Sequence, residues 1–429
     1  MQRHFQRKKR SNGRVYMILA GIFLVMIPAW YGLWNAVGGG EQPTEPNPRV
    51  FESQPVQLKK TRPKIRFVDP AMMKSIRIYC MVPTFYADHR MKLLEVIAST
   101  WGPRCDTIKF FIDPAKEGES FPTHFVSKQG VKIDMVQVKI KRLNDEIVTG
   151  LNGYAKKKCT HHNKVIPCRH IWEKVWRSWL WVFQNDLHLG DYFLKVDDDS
   201  FIFPEFIKKF IAERSYDPDE PLYFGHVSFL SPVPFVNGAM VGLSRGSLNL
   251  VVPRYLSMPK EYGDRINFKS HRCVDRDGAT QEITESICLN EVGVEATSMV
   301  DPVGKQMVAL FRVSDSMVMR KKVGTTSWYW KGKDKENVCC SFTPAVFHWY
   351  KNTDALMRLN SYLYNETDTY LEDYYFSRTF MDELERAPEG KSMIAPIYQE
   401  RVKMSRYLFF REIEYLWHVR KEIEKYTKY

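Results

Sequence analysis

Between residues 191 and 203 the chain reads Asp-Tyr-Phe-Leu-Lys-Val-Asp-Asp-Asp-Ser-Phe-Ile-Phe, three consecutive carboxylates set between two apolar runs. Residues 192–196 have the composition of a buried strand apart from Lys195, and 201–203 are apolar again. Asp197, Asp198 and Asp199 repel one another unless a cation or solvent offsets their charge. The chain therefore carries a packed strand to a point where acidic groups emerge at its end, and in α/β sheets that is where ligands bind. The competing reading is a solvated acidic turn, and the apolar flanks weigh against it.

The surrounding sequence alternates between strand and helix patterns. A first strand is predicted over 76–82, broken by Pro83-Thr84, with helical spacing over 91–101 and further strands over 108–112 and 131–140. Residues 171–187 form an aromatic amphipathic helix whose Trp172, Trp176, Trp179 and Phe183 recur every three or four positions, a stripe read as core. Pro204 stands at the first position of another helix. Strands near 222–224 and 239–243 follow, with a helix after Ser244. This alternation predicts an α/β domain with a mostly parallel sheet, placed at 73–360. A C-terminal extension, 361–429, carries helical patterns over 368–380 and 402–426, with Leu408, Ile413, Leu416 and Val419 near one face. It can pack on the domain or offer a partner surface.

The net charge is +13, and Arg3, Arg7, Lys8, Lys9, Arg10 and Arg14 supply six of it before any acidic residue. The rest suits an anionic substrate, but no basic stripe for nucleic acid is visible. Residues 15–34 carry no charge and would span about 30 Å as a helix, the thickness of a bilayer's hydrocarbon. With the basic residues N-terminal to it, 1–14 is predicted cytosolic and the remainder translocated. A cleaved signal peptide is the alternative, but its apolar region is shorter, roughly 7–15 residues. Trp30, Tyr31 and Trp34 resemble an interfacial anchor, so the expectation is a single-pass type II membrane protein. Residues 35–72, with three consecutive glycines and six prolines, read as an extended stem. Cys80, Cys105, Cys159, Cys168, Cys273, Cys288, Cys339 and Cys340 all fall on the translocated side, where disulfides are expected. Cys159 and Cys168, with His161, His162 and His170 nearby, also have a zinc-like look, and the compartment favours the disulfide. Asn365-Glu-Thr367 is an N-glycosylation sequon.

An anchored, stemmed α/β domain with a strand-end Asp-x-Asp suggests sugar transfer from a nucleotide donor. A nucleoside diphosphate leaves readily only when its developing charge is neutralised, and a divalent ion supplies that. Mg²⁺ and Mn²⁺ prefer hard oxygen ligands, few of them from protein.

The stretches Phe193-Leu-Lys-Val-Asp-Asp-Asp-Ser and Pro221-Leu-Tyr-Phe-Gly225 resemble glycosyltransferase family 31. Within it, four further landmarks resemble the core 1 β1,3-galactosyltransferase branch. These are Thr100-Trp-Gly-Pro-Arg-Cys105, Cys288-Leu-Asn-Glu-Val-Gly-Val-Glu-Ala296, Trp328-Tyr-Trp330, and Cys339-Cys-Ser341 followed by Phe347-His-Trp-Tyr350. The resemblance runs in order from about 76 to about 364 and covers neither the stem nor the last sixty-odd residues. It implies a GT-A fold, manganese and a UDP-sugar. By analogy Asp199 and His348 ligate the metal, Asp197 lies near the donor ribose or sugar, and Thr84 and Arg90 lie near the uracil and phosphates. Taken alone, His348 would be a core histidine, and Trp101 can be core. Asp198 has no assignable role. Trp328, Tyr329 and Trp330 either stack on the acceptor sugar or pack beneath it. Asn237 and Gly238 line the cleft, since glycine lets backbone approach a ligand. The landmarks also imply disulfides Cys80–Cys105 and Cys273–Cys288 and a vicinal Cys339–Cys340 link, which leaves Cys159–Cys168 as a pair inside an unmatched insertion, about 150–170.

One position departs from the pattern. Relatives carry Glu-Asp where this chain has Gln281-Glu282, and the Asp is their usual base. Glu282 keeps a carboxylate on a longer arm, and a misplacement of about 1 Å can cost around a hundredfold in rate. Glu285, one turn on, is the rival base, and Glu282 can also be a carboxylate facing the helix dipole. The resemblance implies a Golgi enzyme transferring galactose from UDP-galactose, with inversion, in β1,3 linkage to O-linked N-acetylgalactosamine on glycoproteins. The alternatives are another UDP-sugar or acceptor, or a catalytically silent, chaperone-like relative. A homodimer is compatible with the sequence.

Overall fold

The computed structural model describes residues 70–86, 88–113, 120–138, 154–161, 164–169, 171–228, 233–258, 260–261, 272–276, 281–313, 340–350, 352–364 and 405–427. All belong to one compact unit, Gln57–Tyr429. Its centre is an eight-stranded sheet. From one edge the order is β13 (Ala296–Ser298), β9 (Tyr223–Ser228), β10 (Phe235–Ser244), β7 (Tyr192–Val196), β1 (Ile78–Pro83), β2 (Thr107–Ile112), β4 (Lys132–Gln137) and β3 (His124–Val126). Strands β7, β1, β2 and β4 are parallel, as are β9 and β13. β10 runs antiparallel between β7 and β9, and β3 closes the far edge antiparallel to β4. Every residue of β1 and β7 is buried. That is why both read as near-continuous apolar runs rather than alternating ones: helices cover both faces.

On one face Cys80, Val82, Leu194 and Val196 pack under α2 (Asp88–Ser99), α4 (Pro204–Glu213), α7 (Thr353–Tyr364) and α8 (Ser405–Thr427). On the other, Tyr79, Met81 and Phe193 pack under α3 (Ile171–Asn185), α5 (Arg245–Arg254) and α6 (Gln281–Glu291). The tryptophan stripe of α3 is core, with Trp172, Trp176 and Trp179 buried. Pro204 opens α4, where its missing N–H costs nothing. Ser244 caps α5 by accepting from the Ser247 amide. A short α1 (Pro70–Ser75) precedes β1, so the folded unit begins inside the predicted stem. The insertion is an antiparallel hairpin, β5 (Tyr154–His161) with β6 (Lys164–Arg169). β11 (Lys260–Glu261) pairs with β12 (Asp275–Arg276). A small sheet in the order β14 (Val308–Ala309), β15 (Val346–Phe347), β8 (Phe201–Ile202) lies beside the main one.

The expected boundary at 360/361 is corrected. It falls inside α7, and Leu416, Val419 and Ile423 of α8 share a core with Leu356, Leu359 and Leu363 of α7. The apolar face of the last helix is buried on the domain, so the extension is part of it. Two disulfides join Cys80 to Cys105 and Cys273 to Cys288, with Cα atoms 6.2 and 4.6 Å apart. Cys340 is disulfide-bonded, while Cys339 and the side chains of Cys159 and Cys168 lie outside the described residues. So do the cytosolic tail, the anchor, the stem up to residue 69, the 368–380 pattern and Asn365. Among the described residues no helix is long and apolar enough to cross a membrane.

Candidate active site

From β1 the chain moves to one side, to β2 and β4, and later returns as β7 on the other flank of β1. The order reverses between β1 and β7, and at such a switch point a crevice opens outside the carboxyl ends of the strands. β1 delivers Thr84 to it and β7 delivers the acidic triplet. The Thr84 hydroxyl donates to Asp198 Oδ2 at 2.7 Å, and Arg90 at the start of α2 pairs with Asp198 Oδ1. Asp198 thus ties the loop after β1 to the end of β7. Its burial pushes the carboxyl up to about 6, against the opposing effects of the Arg90 charge and the Thr84 hydrogen bond. The sequence signal for this role was the pair of polar residues, Thr84 and Arg90, following the first strand.

His348 reaches the triplet through the small sheet. β8 starts two residues after Asp199 and pairs antiparallel with β15, Phe347 opposite Phe201. The residue after β15 therefore comes beside those before β8. The His348 amide donates to Ala309 O at 3.1 Å and the Tyr350 amide to Asp199 O at 2.9 Å. Between them Trp349 sits at φ +69°, its ring 5.4 Å from that of Phe311. A bulky residue in the left-handed region costs about 1–3 kcal/mol and persists only where its surroundings over-determine it.

Asp197, Asp199 and His348 present one ligand atom each, all within 4.8 Å of one another. His348 Nε2 is 3.1 Å from Asp199 Oδ1 and 3.4 Å from Asp197 Oδ2. Its Nδ1 lies 3.0 Å from the Leu310 carbonyl, which can only accept, so Nδ1 carries a proton and Nε2 faces the carboxylates. This is the outer-shell arrangement that orients a metal-binding imidazole. Burial alone would lower the His348 pKa, but hydrogen bonds to both carboxylates and their charges push it up to about 10. Burial would likewise raise Asp197, but the charge of Lys195 and the hydrogen bond of His348 hold it well below the usual carboxylate range. The Asp197 and Asp199 carboxylates thus converge on Nε2 of His348, the nitrogen that must give up its proton when a cation is bound. Two hard oxygens and a nitrogen fit a divalent cation such as Mn²⁺.

Lys195 is buried in β7 and donates to Asp197 Oδ1 at 2.5 Å and to Gly238 O at 2.8 Å. Asn237, half-buried, and Gly238 lie where the pairing of β10 with β9 is irregular, between Val236 and Val241. A Cβ on Gly238 would overlap the Glu282 carboxylate, with Cδ 3.1 Å and Cγ 3.2 Å away. Glycine at this position lets Glu282, in the first turn of α6, lie directly on the β10 backbone. Glu282 is half-buried, whereas Glu285 is 3% exposed. Glu285 accepts from Trp179 Nε1 at 2.7 Å and from Gln281 Nε2. Burial pushes its carboxyl up to about 7 against those two hydrogen bonds. Of the two rivals, Glu282 is the less buried.

The structure thus gathers Thr84, Arg90, Asp197, Asp199 and His348 at the carboxyl end of the sheet, with Gly238 and Glu282 joined to them through Lys195. Trp101 is core, its indole donating to Ser200 O at 3.0 Å. Trp328, Tyr329 and Trp330 lie outside the described residues.

No family model matches the chain. Similar solved structures include the galactosyltransferase LgtC in complex with donor and acceptor sugar analogs (TM-score 0.34, 10% identity, 66% of this chain and 95% of that one). The glycosyltransferase GlyE of Streptococcus pneumoniae TIGR4 has a TM-score of 0.30 and 11% identity, over 77% of this chain and 64% of that one. The mannosyltransferase PcManGT from Pyrobaculum calidifontis, in complex with GDP-Man and Mn²⁺, has a TM-score of 0.28 and 14% identity, over 83% and 91%. Likenesses this slight carry no argument about fold or function, which rest on the chain's own sheet order and side chains.

Proposed function

We propose that the chain is a metal-dependent glycosyltransferase that uses a nucleotide-sugar donor and inverts the anomeric centre. The observation that carries this reading is the Asp197–Asp199–His348 group at the switch point between β1 and β7. Asp199 and His348 would hold the metal with Asp197 beside it, and a bound divalent ion supplies neutralisation of the diphosphate leaving group. Arg90 adds a fixed positive charge at the same end of the sheet, oriented by Asp198. Glu282 accepts the proton of the acceptor hydroxyl, which requires hydrogen-bond reach to that oxygen.

The finer reading follows the resemblance to family 31: galactose from UDP-galactose, joined in β1,3 linkage to O-linked N-acetylgalactosamine on glycoproteins. On that reading residues 15–34 anchor the chain in the Golgi membrane with the folded unit in the lumen. The disulfides Cys80–Cys105 and Cys273–Cys288 suit that oxidising compartment. A donor-by-acceptor screen with Mn²⁺, followed by linkage analysis of the product, tests both levels. Transfer of another sugar replaces the donor assignment. Absence of turnover with every common UDP-sugar and every acceptor removes the enzyme.

A further inference from the structure

Lys195 sits mid-sheet, paired in register with Met81 of β1 on one side and Val241 of β10 on the other, and is 1% exposed. An ammonium is retained in such a place only when its charge is matched and its N–H groups are bonded. A well-packed apolar residue would serve packing at least as well, so packing alone does not account for the charge. Its two partners belong to different halves of the site. One is Asp197 Oδ1, while the other oxygen of that carboxylate faces His348 Nε2 at 3.4 Å. The other is the carbonyl of Gly238, the residue against which the Glu282 carboxylate lies. After Asp197, the strongest charge acting on Lys195 is that of Glu282, with Glu285 also contributing.

We propose that Lys195 is a positioning residue for the transfer step, fixing the metal-site carboxylate Asp197 and the backbone under Glu282 in one frame. The inference rests on the glycosyltransferase reading of this site and adds to it a residue with no assigned role. In the step served, the acceptor O–H bond breaks with its proton passing to Glu282. The acceptor oxygen bonds to the anomeric carbon as the bond from that carbon to the diphosphate oxygen breaks, and the electron pair leaves on the nucleoside diphosphate. Lys195 keeps its protons throughout. Its contribution is geometric: the donor side and the base stay in register because one side chain holds both.

The test uses the full chain with Mn²⁺, UDP and a UDP-sugar, comparing wild type with Lys195→Met, which keeps the length without the charge, and Lys195→Arg. The expected result for Lys195→Met is a cooperative melt and a donor KM within about threefold of wild type, with transfer kcat lower by about a hundredfold, the pattern of an interaction needed in the transition state. Lys195→Arg should recover at least about tenfold of that loss, because it restores the charge. A Met variant with kcat within about threefold of wild type overturns the proposal, as does joint collapse of melting, KM and kcat in both variants, which marks a folding residue. A wild-type chain that neither binds UDP with Mn²⁺ nor turns over any UDP-sugar is a different failure. It refutes the reading of the site itself, and the inference with it.

Discussion

Gly238→Ala probes the assignment of Glu282 without removing any charged group. A Cβ at this position meets Glu282 Cδ at 3.1 Å and Cγ at 3.2 Å, with Oε1 closer still. Carbon atoms rest about 3.5–4.0 Å apart, so the carboxylate must withdraw by about 1 Å. The atoms that move are the outer part of a flexible, half-buried side chain, so the perturbation falls on the position of the carboxylate rather than on the packed sheet. A displacement of about 1 Å in a reacting group costs about a hundredfold in rate, or about 2.7 kcal/mol of barrier. The assay is steady-state sugar transfer with Mn²⁺, reading kcat and donor KM separately, beside calorimetric UDP binding and a thermal melt. The expectation is kcat down by about a hundredfold, donor binding within about threefold and an almost unchanged melt. A variant that transfers sugar at the wild-type rate would place the base elsewhere. One that loses donor binding in parallel would show that Gly238 serves the donor instead.

Stability should fall with pH through Glu285. Burial raises its folded-state carboxyl from 4.5 to about 7, so its contribution is full below about 4.5 and is lost as pH rises through about 7. The shift corresponds to about 3 kcal/mol. Urea unfolding at pH 5 and pH 8 should show this fall in wild type and a flatter profile in Glu285→Gln; equal slopes would remove Glu285 as the source. The Cys273–Cys288 bridge closes a loop with a sequence separation of 15 just ahead of and through the start of α6. Replacing both cysteines by serine should lower unfolding free energy by about 3 kcal/mol and depress transfer through Glu282. An unchanged denaturation midpoint would show that packing alone holds that helix.

The elements of the sheet were legible where the physics is local. β1 and β7 announce themselves as apolar runs ending in Pro83-Thr84 and in the triplet, and α3 as a tryptophan stripe at helical spacing. What places His348 beside Asp199 is not local: β8 and β15 are two residues long and meet across more than a hundred positions, so no periodicity marks them. The ligand assignment came from the resemblance rather than from the residues. Asp198 had no role in the sequence because its partners, Thr84 and Arg90, are delivered by another strand and its following helix. Lys195 read only as an exception in a buried strand, since its two partners become visible only once β10 lies alongside β7. The boundary at 360 follows the shift to polar and aromatic residues after about 354 and so cuts through α7; the apolar face of α8 with Ile413, Leu416 and Val419 is visible in the sequence, but what it packs on is not.

The most direct test of the account is a calorimetric titration of UDP into wild type and Asp199→Ala, each with and without Mn²⁺, with a thermal melt of both. Wild type should bind UDP only when Mn²⁺ is present, and Asp199→Ala should melt like wild type and lose that dependence along with the binding. Metal-independent UDP binding by wild type, or undiminished Mn²⁺-dependent binding by Asp199→Ala, would contradict the assignment of Asp197, Asp199 and His348 as the metal–diphosphate site.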